Sequence, residues 1–136
     1  MIHFLKKYLP TLLLISCIAF LSTANFSDMP IQPTLPYMDK IVHFLMYFGL
    51  SFIFLEDEIS PSKPRRLYGK YMLRAFLFAT FIGGAFELVQ LFLVEGRAGD
   101  WMDFAANCTG ALFGVLTGYV ILPHLSQLLF KIKRGN

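Results

Sequence analysis

An all-α polytopic bundle of about four transmembrane helices, with N- and C-termini cytoplasmic, is the fold the sequence predicts, on three observations. Hydrophobic residues make up 56% of the 136 and aromatic residues 16%, and the mean hydropathy is positive, which is too apolar for an ordinary soluble domain of this length. Four runs approach the roughly 20 apolar residues that cross a bilayer at about 1.5 Å rise each. The lysines and arginines between and beyond these runs fall almost entirely on one side.

The first run, residues 9–26, follows Lys6 and Lys7. "STA" before Asn25 resembles a secretory cleavage site and "LISC" at Leu14 to Cys17 resembles a lipoprotein box, but the length of the run suits a retained span. The next loop contains "MPIQPTLP", whose proline at every third position predicts a stiff, extended cover. The second run, 39–55, is marginal in length. "EDEISPSKPRRLYGK" separates it from the third, 71–94, and "EGRAGDW" separates the third from the fourth, 103–122. Beyond Pro123, Leu125, Leu128 and Leu129 with Lys131, Lys133 and Arg134 read as an interfacial helix end drawn to anionic lipid. The loops are too short to fold alone, so residues 1–136 form a single domain.

Orientation follows from charge. Of twelve lysines and arginines, only Lys40 and Arg97 lie on the side opposite both termini, so the positive-inside rule places both termini in the cytoplasm and "EGRAGDW" on the outward side of the membrane. A net charge of +3 distributed in this way belongs to membrane topology, not to nucleic acid. Cys17 and Cys108 sit in apolar runs without a CxxC pair or a histidine at ligand spacing. They read as small apolar fillers, and no metal or cofactor is expected.

Polar residues recur within the spans at helical spacing. Asp39, His43 and Tyr47 fall every fourth position, on one face of a helix that Lys40 also begins. An entry cap accounts for Asp39 but not for His43, whose imidazole needs a partner inside the membrane. In the third span Ala79, Gly83, Glu87 and Gln90 form a stripe that turns from small to polar. Glu87 falls roughly 10 Å below Val94, where a charged side chain facing lipid costs about 2.5–3.5 kcal/mol. In the fourth span Asp103 and Asn107 share a face, and Ala106, Gly110, Gly114 and Gly118 make a small-residue seam suited to close helix packing. His43, Gln90 and Asn107 thus lie at similar depth in one leaflet, with Arg97, Asp100 and Asp103 at the mouth and Trp101 at the interface.

At "DKIVHFLMYFGLSF" and "FELVQLFLVEGRAGDWMDFAANCTGALFG" the chain resembles the VanZ-like family of small bacterial membrane proteins. The elements carrying the resemblance are Asp39, Lys40, His43, Tyr47, Glu87, Gln90, Arg97, Asp103, Asn107, Gly110 and Gly114, spread over the last three spans. The founding member's association with teicoplanin resistance implies a role in the cell envelope, on the outer side of the membrane. The resemblance implies no reaction, cofactor or substrate.

Three functional readings follow. In the first, an outward pocket binds a polar headgroup, such as that of a lipid-linked cell-wall precursor or another glycopeptide-related ligand. Lys40 and Arg97 then meet anionic groups, and Asp39, Glu87, Gln90 and Asn107 hydrogen-bond sugar or peptide. In the second, an enzyme uses Glu87 or Asp103 as base, His43 as its partner and Arg97 to stabilise developing charge. The absence of a nucleophile elbow or HExxH weighs against that reading. In the third, the polar residues satisfy one another and lock a scaffold. The sequence leaves the oligomeric state open.

Overall fold

The computed structural model describes residues 2–23, 37–59, 64–94 and 100–134. Among the described residues it is helical and carries no strand. The helices are α1 (Ile2–Lys7), α2 (Leu9–Thr23), α3 (Met38–Glu58), α4 (Tyr68–Leu93) and α5 (Trp101–Arg134), with a 3-10 turn at Arg65–Leu67 leading into α4. Three stretches, Met38–Glu58, Arg65–Leu93 and Trp101–Leu125, are long and apolar enough to cross a membrane. The described part of the first apolar run forms the 15-residue α2, about 22 Å long against a hydrocarbon core of about 30 Å. The proline-rich cover lies outside the described residues. Helix α5 runs through Pro123 to Arg134, so the fourth apolar run and the tail beyond it are one helix.

The packing inverts that of a soluble bundle. Helix α4 buries Ala75, Ala79, Gly83, Glu87 and Gln90, while Leu73, Leu77, Phe81, Leu88 and Phe92 face outward. Helix α3 buries His43, Tyr47, Ser51 and Glu58 along with Leu50 and Leu55, and exposes Ile41, Val42 and Leu45. Lipid solvates large apolar side chains as well as a protein interior does, so association favours small residues and mutually satisfied polar groups inside.

Helix α5 packs most extensively on α3, through its small-residue seam. A Cβ on Gly110 would fall on the Phe44 carbonyl, and one on Gly114 on the Phe48 carbonyl and the Ser51 hydroxyl. Both glycines therefore touch the α3 backbone directly. Ser51 Oγ donates to the Ala111 carbonyl at 2.9 Å across the same contact. Apolar packing forms two layers along the bundle, one of Ile18, Tyr47, Leu50, Ala79 and Ala111, the other of Leu55, Ala75, Val115 and Leu122.

Candidate functional site

At the end of the bundle where α3 and α5 begin, Lys40 Nζ is the centre of a charge cluster. It lies 2.7 Å from Asp39 Oδ2, 2.8 Å from Asp100 Oδ2 and 2.9 Å from Asp103 Oδ1. An ammonium has three N–H donors, and these carboxylates take all three. The three acids lie close enough together to suit a cation, and the ammonium fills that place.

Asp100 has a second role. Its Oδ1 accepts from the Met102 backbone N–H at 2.8 Å, which makes it the N-cap of α5 and starts that helix before the expected Asp103. The Lys40 hydrogen bond, then the Met102 amide, hold the Asp100 carboxyl below its ordinary 3.8.

One turn inward the groups become buried. His43 Nδ1 lies 2.9 Å from Asn107 Oδ1, and Asn107 Nδ2 donates to Glu87 Oε1 at 3.1 Å. Because the Asn107 amide N–H points at the carboxylate, its oxygen faces the imidazole, so His43 Nδ1 carries the donated proton. His43 Nε2 then faces Asp103 Oδ2 at 3.9 Å. Asp103, His43, Asn107 and Glu87 thereby form a chain across α3, α4 and α5, with Asn107 fully buried at its centre and Glu87 9% exposed.

Glu87 Oε2 accepts only a long bond, 3.4 Å from the Asp100 backbone N–H, among the described residues. Tyr47, one turn below His43, is 1% exposed. Its hydroxyl has no hydrogen-bond partner among the described residues. Gly83 makes room for this layer, since a Cβ there would stand 3.2 Å from both Asn107 Cβ and Tyr47 Cε1.

One expected residue stands apart. Gln90 turns to α2 and donates to the Ser22 carbonyl at 3.0 Å, tying the first apolar helix to α4. Arg97 lies outside the described residues. Ala79, Gly110, Gly114 and Gly118 are buried packing positions, and Ala106 is half-buried beside them.

Sequence reasoning missed a second polar cluster at the opposite end. Glu58, 2% exposed, pairs with Arg74 Nη1 at 2.7 Å and Lys7 Nζ at 3.2 Å and accepts from the Tyr8 hydroxyl. Beside it Thr11 Oγ1 donates to Asp57 Oδ2 at 2.5 Å. The run "EDE" at the end of a span, level with Lys7 and Arg74 of its antiparallel neighbours, was the available signal.

Beside the charged layer of the site, a groove of about 500 Å³ runs between α4 and α5, walled by Phe81, Gly84, Leu88, Leu91, Trp101 and Phe104 and reaching Glu87 and Asp100. The arrangement offers hydrogen-bond acceptors and a proton-bearing chain next to an apolar trough. A family model described as VanZ/LLP1 matches residues 3–122. No curated protein and no solved structure gives a match.

Proposed function

The chain belongs to the VanZ/LLP1 family, and from that premise we propose that it is an envelope-related membrane protein that holds a polar headgroup at the Lys40 end of its bundle. The reading places this end on the outer side of the cytoplasmic membrane, following the distribution of lysine and arginine. The observation that carries it is Glu87, a carboxylate inside a spanning helix with one oxygen bound by Asn107 and the other held, among the described residues, only by a long amide contact. A purely structural lock would saturate such a group.

The headgroup chemistry follows from the donors and acceptors. Lys40 is engaged by Asp39, Asp100 and Asp103, and Glu87 adds a fourth carboxyl beside Asn107. Such a site suits hydroxyls or amines, as on a sugar or peptide carried by a lipid. Arg97, which the sequence places near this end of the bundle, is the cation assigned to a phosphate in this reading. The buried Tyr47 hydroxyl is a further group that a ligand atom would satisfy.

Glu87→Gln, His43→Ala and Arg97→Ala proteins, purified folded, are expected to lose binding of lipid-linked envelope precursors and to change teicoplanin susceptibility of the host. Unchanged binding and susceptibility in all three would sink the proposal. The chain from Asp103 through His43 to Glu87 also favours a second reading, acid–base chemistry on the bound headgroup. Incubation with polyprenyl phosphates and lipid-linked sugars, analysed for products by mass spectrometry, separates the two readings. No product on any of these substrates overturns the catalytic one.

A further inference from the structure

The groove between α4 and α5 is distinct in character from the charge cluster beside it. Its walls are Phe81, Gly84, Leu88 and Leu91 of α4 with Trp101 and Phe104 of α5, and its volume is about 500 Å³. Phe81, Leu88, Leu91 and Trp101 are all exposed on the surface that faces lipid. Among the described residues, the polar ones that line it are Glu87 and Asp100. From Phe81 to Leu91 the trough follows about 15 Å of helix.

The geometry points to a seat for a single-chain amphiphile whose head donates hydrogen bonds, an ammonium or a hydroxyl. The chain lies along Gly84 and Phe81, and the head meets Glu87 Oε2. This rests on the headgroup reading above and extends it, because it assigns the route and shape of the ligand: lateral, from the bilayer, one chain at a time.

Two physical arguments select that occupant. First, hydrocarbon moving from bilayer to groove gains little, since lipid tails are as apolar as the walls. Selectivity must therefore come from the head. Second, among the described residues the acceptor left to meet a head at the trough is Glu87 Oε2, held only by the long Asp100 amide contact, while both Asp100 oxygens are engaged by Lys40 and Met102; a carboxylate acceptor selects a hydrogen-bond donor. Gly84 keeps the trough open: a Cβ there would meet Phe104 Cε2 at 3.4 Å, an ordinary contact, so a longer side chain must project into the space.

The test uses the full chain in phosphatidylcholine nanodiscs with a dodecylamine bearing a photoreactive diazirine in its chain, mapped by mass spectrometry. Labelling is expected to concentrate on the α4 segment from Phe81 to Leu91 and on Trp101 and Phe104. Competition by dodecylamine and dodecanol is expected to exceed that by dodecyltrimethylammonium, which has the charge but no N–H, by about tenfold, as for one hydrogen bond to a charged group. Gly84→Leu is expected to cut groove labelling about tenfold, with Gly84→Ala, which stays within ordinary contact distance, near wild type.

Labelling spread evenly over all lipid-facing helices, or unchanged by Gly84→Leu in a protein that melts like wild type, overturns the seat. The two readings fail differently. If the groove is wrong but the head site right, Gly84→Leu still binds soluble ethanolamine as wild type does. If the head site is wrong, Glu87→Gln labels like wild type and shows the same competition.

Discussion

Asn107 does more for this site than any charged residue. Among the described residues it hydrogen-bonds both buried titratable partners, His43 at 2.9 Å and Glu87 at 3.1 Å, and it fixes which imidazole nitrogen carries the proton. Asn107→Leu keeps the volume but removes the Asn107 hydrogen bond from each group in a water-poor layer, each at a cost of about 1–3 kcal/mol. A fall of that order in detergent-solubilised stability is expected from denaturant melts. Equal melts would show that His43 and Glu87 find other partners.

Asp100 offers a pH test whose sign is fixed. Its folded carboxyl titrates below the ordinary 3.8, first because of the Lys40 hydrogen bond. The stabilisation is therefore complete above 3.8 and is lost as pH falls through the lowered value. Melting curves of wild type and Asp100→Asn are expected to keep a constant offset from pH 5 to 8 and to converge below pH 4. An offset that instead vanishes between pH 5 and 8 would mean that some other group governs the clamp.

At the scale of elements, the α3–α5 contact is the tightest in the bundle, and its glycines have different burdens. Gly110 and Gly114 lie against α3 carbonyls, whereas a Cβ on Gly69 of α4 would meet nothing within 4 Å. Gly110→Ala must push two backbones apart, and about 1–3 kcal/mol of destabilisation is expected. Gly69→Ala, in open space in a helix, is expected to be neutral or to stabilise by about 0.5–1 kcal/mol. Thermal melts of the two variants side by side check this, and similar losses in both would contradict it. The seam's function was legible in the spacing of Gly110, Gly114 and Gly118. Its partner was not, because spacing names a face and not the helix that meets it.

For the whole molecule, a polar cluster sits at each end, around Lys40 and Glu87 at one and around Glu58 at the other, with apolar layers between. The proposed orientation gives a direct expectation. In a background with Cys17 and Cys108 replaced, a membrane-impermeant maleimide added to intact cells labels Arg97→Cys and spares Arg66→Cys. The reverse pattern would turn the headgroup site to the cytoplasm and remove its envelope role.

By itself the sequence determined the helical class, the polar stripes of α3, α4 and α5 and the small-residue seam, because helical periodicity and the membrane's demand for apolar length act on neighbouring residues. The choice of partners belonged to the tertiary structure. Lys40 gives its three donors to carboxylates of α3, of α5 and of the residue that caps α5, and Gln90 leaves the site for Ser22 of α2. Glu58 gathers Lys7 and Arg74 from helices on either side of it in the chain, and the groove opens beside Glu87. Each of these depends on which helix faces meet and at what depth, a matter of three-dimensional packing that no local pattern encodes.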